Sequence, residues 1–389
     1  MKQRHLSIAV LVGAALLALP MTGGAQILVS GNDEKVLWDD AGKTVYLPPG
    51  KDTISFIDIG DRENPKILTS IALENSIFGP PTNLAVHPSG EIALVANSVT
   101  QIKDGENWKP VPDDKVYIFD LKASPPKQIG TVNVGKQPSG LDISKKGDLA
   151  LVTNRADNSV SVLSISGKEV KVTDTIAMGD SVAHVAISAD GTKGLTVKPV
   201  VNKVAFLKID GQKVLYEKYD MPTGVFPYNV DIVPNGKIAL IANNGGGGYA
   251  DGNVDTVSVI DLEQNPPRVI DHIVVGDAPE GFAISPKGDL ALAILVGGNS
   301  DKKAFFSRKG GAAVVLKIDD KKVTKVSDEI EVGGLAEGVA FSPDGNYAYI
   351  GNFLDSNMSI MRINGTQVTD TGKKLKLPGH PASLRGAPK

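Results

Sequence analysis

The sequence predicts an all-β fold, a seven-bladed β-propeller whose ring is closed by the C-terminal strand pairing into the first blade. Three observations carry this expectation. The 389 residues hold 41% hydrophobic side chains but only two Trp, eight Tyr and ten Phe, so the core is aliphatic, a composition that favours strands. One unit recurs along the chain: a turn ending in glycine, a short apolar run and then an alternating strand. Finally, the first unit lacks the strand that precedes its turn, and the chain ends with an orphan copy of that strand, Pro381-Ala382-Ser383-Leu384.

The first 25 residues read as a signal peptide. Lys2, Arg4 and His5 precede the apolar stretch Leu6 to Leu19, and Gly23 and Ala25 suit the small positions before a cleavage site, expected after Ala25. The stretch is shorter than the roughly 18–20 apolar residues of a spanning helix, and no later segment is apolar enough to span. The expected product is a single domain, residues 26–389, periplasmic or secreted, with a net charge of -5 and no membrane span.

The turns are Asp40-Ala41-Gly42, Pro88-Ser89-Gly90, Lys145-Lys146-Gly147, Ala189-Asp190-Gly191, Pro234-Asn235-Gly236, Pro286-Lys287-Gly288 and Pro343-Asp344-Gly345. Glycine closes each because a tight hairpin needs a residue at positive φ. Seven residues beyond the glycine, four units carry Asn97, Asn154, Asn243 and Asn352; the other three carry Pro49, Lys198 and Leu295. Period-2 strands follow at Asp52–Ile59, Asp114–Leu121, Asn158–Ile165, Asn202–Ile209, Asp255–Leu262, Ala312–Ile318 and Asn357–Ile363. Turn glycines 44 to 57 residues apart leave room for four short strands per unit. The expected blades run over about 36–76 plus 380–385, then 81–136, 138–180, 182–222, 227–277, 279–334 and 336–378.

Residues Ala336 to Gly345 (AEGVAFSPDG) and Tyr349-Ile350-Gly351-Asn352 resemble the repeat of the Y-V-T-N β-propellers, and the likeness covers about residues 36–385. The resemblance implies an exported propeller. It leaves open a module without catalysis, a lactonase-like or muconate-lactonising enzyme, or the propeller subunit of an amine-dehydrogenase-like complex. The chain has one Trp-Asp pair, Trp38-Asp39, so a WD-repeat reading fails.

In a propeller the residues leading into the innermost strands surround one mouth of the channel. Alignment of the units puts Thr82, Asn83, Ser139, His184, Tyr228, Asn229, Glu280, Glu337 and His380 there. Glu280 and Glu337 come from neighbouring blades; two close carboxyls in a desolvated channel form an acid–base pair, and His184 adds a proton acceptor. The other reading leaves both glutamates solvated and paired with lysines such as Lys136. With Asn83 and Asn229 the carboxylates could hold a calcium ion. Asn83, Ser139, Tyr228, Asn229, His380 and the strand-closing Asn97, Asn154, Asn243 and Asn352 are the candidate ligand contacts. Three long loops crowd the same face: Ser98–Asp113 with Trp108, Asn244–Val254 with four consecutive glycines and Tyr249, and Gly297–Gly311 with Phe305 and Phe306.

Other chemistries are excluded. The chain has no cysteine, so disulfides, thiolate metal sites and covalently attached haem c are absent. The mixed charges carry no footprint for nucleic acid. Asp251 to Asp255 imitate the start of a calcium loop, but Thr256 and Leu262 stand where that motif needs glycine and glutamate. No phosphate loop, Gly-x-Ser-x-Gly elbow or His-Glu-x-x-His motif occurs. The leading expectation is a binding module for a small molecule or a protein partner. The competing ones are the lactonase-like hydrolase or lyase and the amine-dehydrogenase-like subunit.

Overall fold

The innermost strands stand around a central axis and each opens an antiparallel sheet, giving seven blades, four-stranded except in blade 6, where Lys322–Lys325 and Ile330–Glu331 share the outer position. A computed structural model describes residues 26–247, 249–297 and 302–386; the expected leader lies outside them. Blade 3 shows the pattern: Pro138–Ile143, Leu149–Asn154, Ser159–Ser166 and Glu169–Ala177, from axis to rim. No helix among the described residues is long and apolar enough to cross a membrane.

The second strand of each blade is covered on both faces by its neighbours, which is why it reads as a continuous apolar run. Leu290–Leu295 is buried at every position, with Ala293 facing Leu240 and Val259 of blade 5 and Leu292 facing Val339 and Ile350 of blade 7. The outer strands cover one blade edge only and are largely exposed, as in Glu169–Ala177.

Blade 1 differs from its expected composition. Its strands are His380–Gly386, Ile27–Asp33, Thr53–Asp58 and Lys66–Ala72. The C-terminal strand pairs with Ile27–Asp33 from Leu28 opposite Gly386 to Asp33 opposite His380. The turn Asp40-Ala41-Gly42 belongs instead to a separate hairpin, Val36–Trp38 with Thr44–Tyr46, an insertion between the second and third strands. The equivalent of Asn154 in blade 1 is therefore Asn32 and not Pro49.

That asparagine is a pillar inside the blade. Its amide nitrogen donates to hydroxyls on the third strand: Asn32 to Ser55 at 3.0 Å, Asn154 to Ser161 at 2.9 Å, Asn243 to Ser258 at 2.9 Å and Asn352 to Ser359 at 2.9 Å. In blade 2, Asn97 donates to Asp113 at 2.8 Å. In blade 4, Lys198 fills the position and reaches Tyr216 at 2.8 Å and Asp220 at 2.9 Å. A glycine three residues before the blade's own inner strand packs on the pillar, and a Cβ on Gly135 would stand 2.6 Å from the Asn154 amide nitrogen, as one on Gly224 would from Asn243. Blade 6 keeps the rule with apolar partners: Gly276 lies against Leu295.

The insertion is anchored by a buried ionic knot. Lys35, fully buried, places its ammonium 2.5 Å from Asp52 and 3.6 Å from Asp33 and also donates to the Asn75 carbonyl. The carboxylates accept backbone N–H groups from Lys35, Glu34, Asn75 and Ile77. The knot thus joins blade 1, the hairpin and the segment leading into blade 2. Burial lifts the Asp33 carboxyl to about 6 despite Lys35.

Two stability measurements check this account. Gly135→Ala should cost about 1–3 kcal/mol in urea unfolding through the clash with Asn154. Lys35→Met, which leaves two buried carboxyls without their cation, should cost about 3–5 kcal/mol, with the larger loss above pH 6, where Asp33 is ionised.

Candidate functional site

A cavity of about 560 Å³ opens at the mouth of the channel. Its floor is built by residues that begin the inner strands. Tyr228 follows Pro227 in blade 5, Glu280 follows Pro279 in blade 6, and Glu337 follows Ala336 in blade 7. The inner strands of blades 6 and 7 approach so closely that a Cβ on Gly281 would stand 1.9 Å from the Glu337 carbonyl oxygen, so glycine is what allows the two glutamates to be neighbours. Asn229 donates to the Glu280 carbonyl at 3.3 Å and fixes its backbone.

Both carboxyl groups are nearly inaccessible, at 4% and 1% exposure, and Glu337 Oε2 has no hydrogen-bond partner. Burial raises both acids, but unequally. Arg155 partly offsets the effect on Glu280, which stands at about 8. Glu337 has no such help and feels the charge of Glu280, so it is pushed well above the carboxylate range. Glu280 is therefore the first to ionise, and Glu337 keeps its proton. Tyr228 is also pushed up, chiefly by burial.

Arg155 follows the pillar Asn154 and sits over the Tyr228 ring, 5.6 Å from its centroid, with a nitrogen 3.4 Å from the phenol oxygen. Its backbone is fixed from both sides: its N–H donates to the Gln137 carbonyl and its carbonyl accepts from Ser181. Apolar walls rise above this floor. Trp38 comes from the inserted hairpin, Phe78 from the segment tied by Lys35, Phe306 from the loop before residue 311, and Tyr249 and Ala250 from the glycine-rich loop. Trp38 meets Phe353 edge to face at 5.8 Å, and Asp40 at the hairpin tip pairs with Lys302 at 2.5 Å.

Of the sequence candidates, Glu280, Glu337 and Tyr228 thus share one cavity. His184 does not join them. It lies one position deeper, in register with Gly140 and Gly281, and its Nε2 accepts from Arg385 at 3.1 Å. Burial and that guanidinium keep its pKa well below the ordinary histidine value, so it is a poor proton acceptor. His380 is also elsewhere, stacked on Phe353 at 5.0 Å and bonded to its carbonyl at 2.6 Å. Asn83 is committed to Asn75 and the Ala96 carbonyl. Ser139 lies behind Gly79, where a Cβ would meet its Oγ at 2.2 Å. The asparagines 97, 154, 243 and 352 are buried pillars and do not line the cavity.

Two of the three long loops reach the cavity, through Tyr249 and Phe306. The third is not a loop: strands Ile92–Asp104 and Asn107–Asp120 extend past the blade as an arm that packs against the inserted hairpin. Trp108 pairs with Lys103 on that arm and does not line the cavity. Among the described residues, no group of three or more His, Asp or Glu side chains is arranged to hold a metal.

No protein-family model matches the chain, and no curated protein sequence matches it. Solved structures do. The periplasmic gluconolactonase of Pseudomonas aeruginosa superposes with a TM-score of 0.67 at 18% identity, over 93% of this chain and 99% of its own. A candidate 6-phosphogluconolactonase of Bacteroides fragilis gives 0.70 at 15% identity, over 94% and 99%. Hydrazine synthase of Kuenenia stuttgartiensis gives 0.57 at 20% identity, over 75% and 78%. At such identities the likeness establishes the architecture, a seven-bladed propeller, and function has to be argued from the cavity.

Proposed function

We propose that this propeller binds a small lactone in the mouth cavity and hydrolyses it, with Glu280 as general base and Glu337 as general acid, and that it does so outside the cytoplasm. The carrying observation is the pair of buried carboxyls from adjacent blades whose proton affinities are set apart by Arg155. Similarity to structures named as gluconolactonases supports this choice among the chemistries open to such a pair. The location rests on residues 1–25, which read as an export signal.

Ionised Glu280 takes a proton from water as the oxygen attacks the lactone carbonyl. Arg155 and the Tyr228 hydroxyl, the two donors beside it, face the oxyanion that develops. As the ring C–O bond breaks, Glu337 delivers its proton to the leaving alkoxide, and the proton held by Glu280 returns to Glu337. Lactone plus water gives the hydroxy acid. The aromatic walls exclude bulk water and keep both pKa values displaced. A non-catalytic module would use the same cavity without turnover.

The assay is hydrolysis of a lactone panel followed by proton release. Glu280→Gln and Glu337→Gln should each lower kcat by roughly 10²–10⁴, and full turnover in either variant removes the assignment. The rate should rise with pH through about 8, where Glu280 loses its proton in the field of Arg155, Tyr228 and Glu337. Arg155→Met should move that rise to higher pH. Stability follows the opposite sign: a carboxyl raised by folding stabilises the fold below its unfolded pKa, and that contribution is lost as pH rises through the folded one. The double variant Glu280→Gln/Glu337→Gln should therefore melt higher than the wild type at pH 8 and show a flatter pH dependence.

A further inference from the structure

The cavity is polar at one end only. Arg155, Tyr228, Glu280 and Glu337 form the floor, whereas Trp38, Ile77, Phe78, Phe306 and Leu335 form walls that offer a ligand little hydrogen bonding. A polyhydroxylated ring needs polar partners on several sides and would be desolvated against these walls without replacement. Asp251, Thr44 and Tyr249 are the other polar side chains of the lining. Asp251 accepts the Asn253 backbone N–H.

Arg155 is the unusual group. Among the described residues no carboxylate comes within ion-pair distance of its guanidinium, whose one side-chain hydrogen bond goes to the Tyr228 hydroxyl. The fork therefore faces the cavity free to hold a planar two-oxygen acceptor. Glu337 Oε2, buried, also lacks a partner on this floor. With the two glutamates protonated at neutral pH, nothing on the floor cancels the Arg155 charge, and the floor offers donors.

We propose that the cavity takes an organic monocarboxylate with an apolar body, its carboxylate on Arg155 and its body between Trp38, Phe78 and Phe306. The proposal names the substrate class of the reaction above and rests on that reading for turnover: the bound acid is the product of an apolar-substituted lactone. The binding half stands on the cavity alone. A volume of about 560 Å³ accommodates a ring with a short side chain.

The test is calorimetric titration of the full-length protein at about pH 6.5, below the titration of Glu280 at about 8, with hydrocinnamate, hydrocinnamyl alcohol and gluconate. Hydrocinnamate should bind at least about tenfold tighter than either of the other two. Arg155→Met should lose that preference, and Arg155→Lys should keep part of it. Retained melting temperatures in these variants separate lost contacts from lost fold. Gluconate binding as tightly as hydrocinnamate, no binding of hydrocinnamate, or unchanged binding in Arg155→Met would each overturn the proposal. Hydrocinnamate binding in a protein that hydrolyses no lactone sinks the hydrolase and keeps this site. Hydrolysis of gluconolactone without hydrocinnamate binding does the reverse.

Discussion

Closure of the ring is the constraint on which everything else depends. The strand His380–Gly386 pairs with Ile27–Asp33 across almost the whole length of the chain, and without it blades 1 and 7 would expose sheet edges and the inner strands would have no fixed radius. With the radius fixed, inner strands of adjacent blades touch backbone to backbone at Gly140, Gly281 and Gly338. That contact forces Glu280 and Glu337 together and strips water from both. The acid pair is thus a product of ring geometry as much as of residue choice.

A propeller must also tolerate many polar groups near its axis. Here the solution is local: Asn154, Asn243 and Asn352 donate to their own blade's hydroxyls, and each is covered by a glycine from the connection leading into that blade. Blade 1, which carries the inserted hairpin, adds a lysine between two aspartates to its own asparagine. Such buried ionic groups give little net stability but fix one arrangement, and the arrangement fixed here includes Phe78 on the cavity wall.

The blade repeat was legible because the second strand, covered on both faces, has to be apolar throughout, and the third has to alternate. Blade 1 was misread because Asp40-Ala41-Gly42 has the same turn chemistry as a blade turn; local turn residues cannot tell which strands they join. The offset of His184 had a readable signal. Thr82, Ser139, Tyr228, Glu280 and Glu337 each precede their turn glycine by eight residues, whereas His184 precedes Gly191 by seven; Ala183 holds the mouth position in blade 4. Arg155 had a weaker one, as the residue after a pillar asparagine. Trp38 and Phe78 had none, since the hairpin that places Trp38 and the knot that places Phe78 arise from long-range contacts. For the same reason Trp108, carried by the most conspicuous insertion, attracted the attention due to Trp38.

The contact between His184 and Arg385 divides the axis. Below it lies a second cavity, of about 230 Å³, lined by Asp142, Asp231 and Arg385, and it shares no lining residue with the one above. The two aspartates bridge blades by accepting the Ile187 and Ile284 N–H groups, which keeps this floor rigid. The two cavities are therefore separate chambers with separate chemistries, so a substitution in the walls of one leaves the lining of the other untouched.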